Sequence, residues 1–239
     1  MRGIREFFKG EDMKKKSLIY MIVAIVLAVA FCVLTALLLC VDVRPAGESL
    51  AKVGFATLNE AVFEALGQLG DKAATVSLKL SELCGLLALA AVGAFGITGL
   101  VQVIRRKGIL RADKELYVMA GGLVLLAAVY VLFELVVINC RPVLDEGELA
   151  ASYPSSHTML ATAVAGMGEA YLHRYLKPRI RHGWRGSCLL GLSVVTASLR
   201  LTAGVHWLTD IVAGVLVGLA ITFIYLAVCA RLAQREARA

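Results

Sequence analysis

Residues 18–41 read LIYMIVAIVLAVAFCVLTALLLCV, a run without one Asp, Glu, Lys or Arg. As a helix it is about 36 Å long at roughly 1.5 Å per residue, enough to cross about 30 Å of hydrocarbon. It is too long for the apolar region of a cleaved signal peptide and reads as a retained anchor. Five further apolar runs follow: Leu83–Ile104, Leu116–Ile138, Thr158–Tyr171, Cys188–Leu199 and Trp207–Ala230. The run at 158–171 and the one at 188–199 are short, and reach spanning length only with polar neighbours such as His157, Arg174 and Arg200. The expected fold is therefore an all-α polytopic membrane protein with six transmembrane helices. A six-span domain over 18–230 lies between a basic cytoplasmic N-terminus (1–17) and a cytoplasmic tail (231–239).

Composition agrees with this choice. Of the 239 residues, 59% are hydrophobic and 18% charged, and mean hydropathy is +0.77. Soluble domains hold roughly 45–50% apolar residues, so a water-soluble globule is excluded, as are disordered, collagenous and coiled-coil chains. The net charge of +7 is explained by its placement. Lys and Arg cluster in four segments: Arg2 to Lys16, Arg105 to Lys114, Arg174 to Arg185, and Arg231 to Arg238. All four fall on one side of a six-span zigzag, the cytoplasmic side by the positive-inside rule. No nucleic-acid partner is needed to account for the charge. The expected site is the plasma membrane, with both termini inside.

The longest outer loop, 42–80, carries Phe55, Leu58, Val62, Leu66 and Leu69 at helical spacing, with Glu60 and Glu64 between them. This predicts an amphipathic helix in the outer interface, either a cap on the bundle or a lid over the substrate. Trp184 and Trp207 fall at predicted span ends and read as interfacial anchors. Cys40 and Cys140 can both reach the outer side, where a disulfide is one alternative, while the other cysteines read as small buried hydrophobes.

The outer ends of the last four spans hold Glu134, Arg141, His157, Arg200, His206 and Asp210. Ionisable groups at membrane depth are costly and mark functional sites. Arg200 and His206 flank a turn containing Gly204, so both can face one pocket. His206 and Asp210, four apart, stack on one helix face. The carboxylate can then take the Nδ1 proton and leave Nε2 as a nucleophile. Pro154-Ser155-Ser156-His157 precedes a helix whose first amides and dipole favour an anion. Two guanidinium forks suit phosphate oxygens, and a second histidine can protonate a leaving oxygen. The set describes phosphoryl transfer without a metal; no HExxH or clustered Asp pattern appears, and no cofactor is expected.

These residues resemble the three motifs of the type 2 phosphatidic acid phosphatase family, which shares its site with vanadium haloperoxidases. KxxxxxxRP corresponds to Glu134–Arg141-Pro142, PSGH to Pro154-Ser155-Ser156-His157, and SRxxxxxHxxxD to Leu199-Arg200 through His206 to Asp210. The resemblance implies His206 as nucleophile through a phosphohistidine, Asp210 as its orienter and His157 as general acid. It also implies Arg141, Arg200, Ser155 and Ser156 as the phosphate cradle. Three positions depart from the pattern: Glu134 replaces lysine, Ser156 replaces glycine and Leu199 replaces serine. Glu134 reverses a charge and is expected to pair with Arg141 or Arg200 as a modulator. The implied function is an integral-membrane lipid phosphatase facing outward, its substrate a polyprenyl pyrophosphate, phosphatidate or phosphatidylglycerophosphate. A second class, a member that binds or moves phosphorylated lipids with little hydrolysis, is motivated by Glu134. Membrane lipids are the other expected partners, and the sequence leaves the oligomeric state open.

Overall fold

Helix α1 (Arg2–Leu38) has 37 residues. At about 1.5 Å per residue it is about 55 Å long, so its basic first half projects beyond the apolar run. A computed structural model describes residues 2–145, 147–173 and 187–236, with side chains described over 12–145, 147–173 and 191–236. After α1 come a two-stranded antiparallel hairpin, β1 (Arg44–Ala46) and β2 (Ala51–Val53), and α2 (Ala56–Gly67). Then follow α3 (Asp71–Arg105), a 3-10 turn (Ile109–Arg111), α4 (Lys114–Leu135), α5 (Ser156–Leu172), α6 (Ser187–Thr202) and α7 (Leu208–Glu236).

Four helices are long and apolar enough to cross a membrane: residues 12–38 of α1, and α3, α4 and α7. Helices α5 and α6 are shorter, as their apolar runs foretold. The basic loop from Arg174 to Arg185, with His182 and Trp184, lies outside the described residues. Only 11% of the apolar windows of α1 and of α3 is buried, against 56% for α7. The outer helices therefore turn Leu18, Ile22, Ile25, Val29, Leu86 and Leu89 outward, a surface that suits lipid and would be untenable in water.

The centre is α5 against α7, with α1 along the far side of α7 and α4 beside both. Met159, Ala163, Met167 and Tyr171 of α5 interdigitate with Val217, Ile221 and Tyr225 of α7 and with Leu116, Met119 and Leu126 of α4. Gly214 and Gly218, one turn apart, let α5 come close. A Cβ at Gly218 would sit 2.6 Å from Thr162 Cβ, and one at Gly214 2.8 Å from the Ser155 carbonyl. Without a hydrophobic force between helices in lipid, such small-residue contacts carry much of the association.

The hairpin and α2 cover one end of the bundle. On the inward face of α2, Ala56 and Asn59 are buried, and Phe63 packs against Ala56 and Trp207. Leu58 and Leu69 stay 49% and 59% exposed. Hydrogen bonding decides this choice of face. Asn59 donates to the Gly54 carbonyl and to Thr209 Oγ1 and accepts from the Thr209 amide, while Phe63 lies 5.7 Å from the Trp207 ring. Trp207 is accordingly no interfacial anchor. It is 1% exposed, and its indole N–H donates to the Cys140 carbonyl at 2.8 Å. Cys40 and Cys140 are both free thiols.

Candidate active site

The turn Ala203–Trp207 joins α6 to α7 and carries the tightest cluster of expected residues. Gly204 takes φ +68, a left-handed conformation that glycine adopts without penalty, and Phe63 closes over it at 3.2 Å from a would-be Cβ. The reversal sets Arg200, in the last turn of α6, against His206. Arg200 Nη2 lies 3.0 Å from His206 Nε2. A guanidinium only donates, so this bond places a lone pair on Nε2 and the proton on Nδ1.

His206 is not on the helix. It precedes α7, and Asp210 occupies the first turn, so the two meet through capping rather than by stacking on one helical face. Asp210 Oδ2 accepts the Trp207 amide at 3.0 Å, half of a capping box. The same oxygen faces His206 Nδ1 at 3.6 Å. Asp210 is fully buried. Its other oxygen accepts from Asn139 Nδ2 at 3.1 Å, and its backbone carbonyl accepts the Ser155 amide. Asn59 takes the Thr209 amide, so two of the amides orphaned at this helix start find protein acceptors.

The segment before α5 is pinned from the opposite side. Tyr153 stacks on Phe31 at 5.9 Å, meets Phe133 edge-on, and shares a 2.7 Å hydrogen bond with Thr35. Ser155 is buried, with its hydroxyl on Thr158 Oγ1 at 3.1 Å and its amide on Asp210. It therefore has no amide left for an anion, contrary to expectation; the first-turn amides of Ser156 and His157 are the ones a helix leaves over. His157 and Ser156 line a cleft of about 350 Å³ with Glu82, Gly85, Leu86, Leu89 and Leu160. Arg200, His206 and Arg141 all act on His157 electrostatically. Its imidazole nests on Gly85, where a Cβ would approach Cδ2 to 2.6 Å.

Arg200 is 4% exposed, with Nη1 3.4 Å from Ser81 Oγ of α3. Its Nε and Arg141 Nε are buried without a hydrogen-bond partner. The outer nitrogen of Arg141 is held by Asp145 at 2.7 Å. Glu134 stands apart: exposed on α4, it interacts with Tyr130 one turn away, and among the described residues it makes no ion pair with either arginine. The expected pairing fails because Arg141 finds Asp145 on its own loop.

Burial of His206, which lies between the helices rather than in a span, holds its imidazole below the ordinary histidine range; Asp210 opposes the shift and Arg200 adds to it. Among the described residues no three His, Cys, Asp or Glu side chains group so as to hold a metal ion. Sequence inspection missed Ser81 and Asn139. Ser81 had a visible sign: with Ser77, Cys84, Gly85 and Ala88 it lines the small-residue face of an otherwise bulky helix. Asn139 sits at a position where the family pattern accepts any residue.

A profile describing the PAP2 superfamily matches residues 87–233. The chain belongs to the PAP2 superfamily. Asn139, Arg141, His157, Arg200, His206 and Asp210 all fall within that PAP2 match, while Ser81, Glu82, Gly85, Leu86 and the capping segment around Asn59 precede it. Among solved structures, this PAP2 chain is similar to a transmembrane PAP2-type phosphatidylglycerolphosphate phosphatase from Bacillus subtilis. Sequence identity is 20%, the TM-score is 0.57, and the alignment covers 89% of this chain and 96% of that one. Among curated proteins, no sequence matches.

Proposed function

We propose that the protein is an integral-membrane lipid phosphate phosphatase acting through a phosphohistidine. The observation that carries this is the His206 Nε2 lone pair, backed by Asp210 and bonded to a buried guanidinium. In the proposed reaction Nε2 attacks phosphorus, and the P–N bond forms as the P–O bond to the lipid breaks. His157 gives its proton to the leaving oxygen, then takes one from the water that hydrolyses the phosphohistidine. Arg200 Nε and Arg141 Nε have hydrogen-bonding capacity to spare for phosphate oxygens, joined by the first amides of α5. Helices α5 and α6 complete a six-span bundle whose hairpin end faces outward. The apolar walls of the His157 cleft, Leu86, Leu89 and Leu160, favour a lipid over a soluble ester. The substrate class is a polyprenyl pyrophosphate, phosphatidate or phosphatidylglycerophosphate. Phosphate release from a panel of these lipids by purified protein tests the proposal. Binding of the panel without release would instead support the weakly hydrolytic class.

The donor set is guanidinium and amide, which supplies the positive charge that a metal otherwise provides. Turnover is therefore expected to survive EDTA. Loss on chelation, restored by a divalent ion, would contradict this. The rate is expected to be bell-shaped in pH, because His206 must be neutral and His157 protonated. The acid limb belonging to His206 lies below the ordinary histidine value of 6.5, since burial lowers its pKa. The same sign holds for stability. The unfolded chain binds the proton first, so the contribution is present above pH 6.5 and is lost as pH falls toward the folded value.

Glu134 gives a further expectation. With no arginine pairing it, its charge opposes the incoming phosphate, and Glu134→Lys should raise kcat/KM on lipid monophosphates about tenfold. Glu134→Gln should give a smaller gain in the same direction, with Tm unchanged in both. A fall in activity together with Tm would restore the pairing role.

A further inference from the structure

Asp210 is a buried carboxylate with no arginine or lysine directly on it among the described residues. Its Oδ2 accepts the Trp207 amide and faces His206 Nδ1 at 3.6 Å, while Oδ1 accepts from Asn139 Nδ2 at 3.1 Å. Asn139 is 1% exposed. A side-chain amide can turn over and present oxygen instead of nitrogen, and here that would set two acceptors against each other. The Gly54 amide prevents it by donating to Asn139 Oδ1 at 3.4 Å. The Ser152 amide, on the Asn139 carbonyl at 2.9 Å, holds the backbone. A polar chain thus runs from the junction of β2 and α2 through Asn139 and Asp210 to His206.

We propose that Asn139 is a positioning residue for His206, fixing the Asp210 carboxylate through an amide whose own orientation is set by Gly54. This rests on the phosphohistidine reading and extends it to the outer hairpin. With Oδ1 unbonded, the carboxylate can rotate about its Cβ–Cγ bond and lose its aim at Nδ1. Turnover then falls while substrate binding, which uses the arginines, does not.

The groups facing Asp210 are His206 from its own turn, Arg200 of α6 through His206, and Cys140 and Tyr153 from the segment before α5; Arg141 acts on His206 from the same segment. None of these changes in the variants that follow. In the full-length protein, Asn139→Ala should lower kcat about ten- to a hundredfold at every pH, with KM within about threefold. Asn139→Asp behaves differently. While its carboxyl is protonated it can donate to Asp210 Oδ1, so activity should approach wild type at the acid end of the profile. Activity should then disappear reversibly as pH rises and two carboxylates face each other. A folding defect does not reverse with pH in one sample. Near-normal kcat in Asn139→Ala, or an Asn139→Asp profile parallel to that of wild type, would overturn the positioning role and leave the histidine mechanism standing. Full activity in His206→Ala, measured alongside, would overturn both.

Discussion

His206→Ala is expected to abolish phosphate release, by at least about ten-thousandfold, because His157, the other imidazole at the site, has the separate task of protonating the leaving oxygen. The neighbours make the result interpretable. His206 is 5% exposed, and its two ring nitrogens face Arg200 and Asp210. Its loss therefore leaves the packing of Trp207 on Phe63 in place. Asp210→Asn should be milder, roughly a hundredfold. Asparagine keeps an acceptor for the Trp207 amide, so the start of α7 survives while the charge that orients the imidazole is lost. Quenching during turnover with alkaline detergent, which spares a P–N bond, should trap label on protein in wild type and none in His206→Ala. Near-normal release from the purified alanine variant would dismiss the mechanism.

Gly54→Ala is expected to be the most damaging small substitution outside the cluster. A Cβ there would lie 2.0 Å from the Leu38 carbonyl oxygen, 2.6 Å from its carbon and 2.7 Å from its Cα. These are backbone atoms at the end of α1, so no side chain can swing aside. Overpacking of this kind costs about 3 kcal/mol, or a Tm drop of roughly 6–12 °C for a chain of this size. The displaced segment carries the Gly54 amide off Asn139, so turnover should fall as well. Gly67→Ala is the control: nothing lies within 4 Å of its would-be Cβ, and Tm should hold. An unchanged Tm in Gly54→Ala would mean that the hairpin does not bear on α1 as described.

Much of this architecture was legible because lipid imposes a coarse code. Long uncharged runs announced α1, α3, α4 and α7, and costly polar residues at their ends announced His157, Arg200, His206 and Asp210. What escaped notice was determined by partners distant in the chain. Asn59 and Thr209 are 150 residues apart, and their mutual bonds, not the hydrophobic stripe of α2, decide which face packs. Trp207 looks like an interfacial tryptophan until the hairpin is placed over it. Glu134 was assigned an arginine by proximity in sequence, but Asp145 reaches Arg141 first. Gly214 and Gly218 stood in plain view at a four-residue spacing, yet the spacing alone does not say which helix they admit.

Under the proposed phosphohistidine mechanism, the bond between Arg200 and His206 would make reactivity conditional on charge. While Nη2 holds the Nε2 lone pair, the imidazole is engaged, and a neutral electrophile entering the cleft has nothing to offer the guanidinium in exchange. A phosphate offers it a better acceptor. The arrival of the anion and the release of the nucleophile thus become a single event. Discrimination between a phosphorylated lipid and the far more abundant uncharged esters around it is then built into the act of arming the site, before any shape of the chain or headgroup is tested.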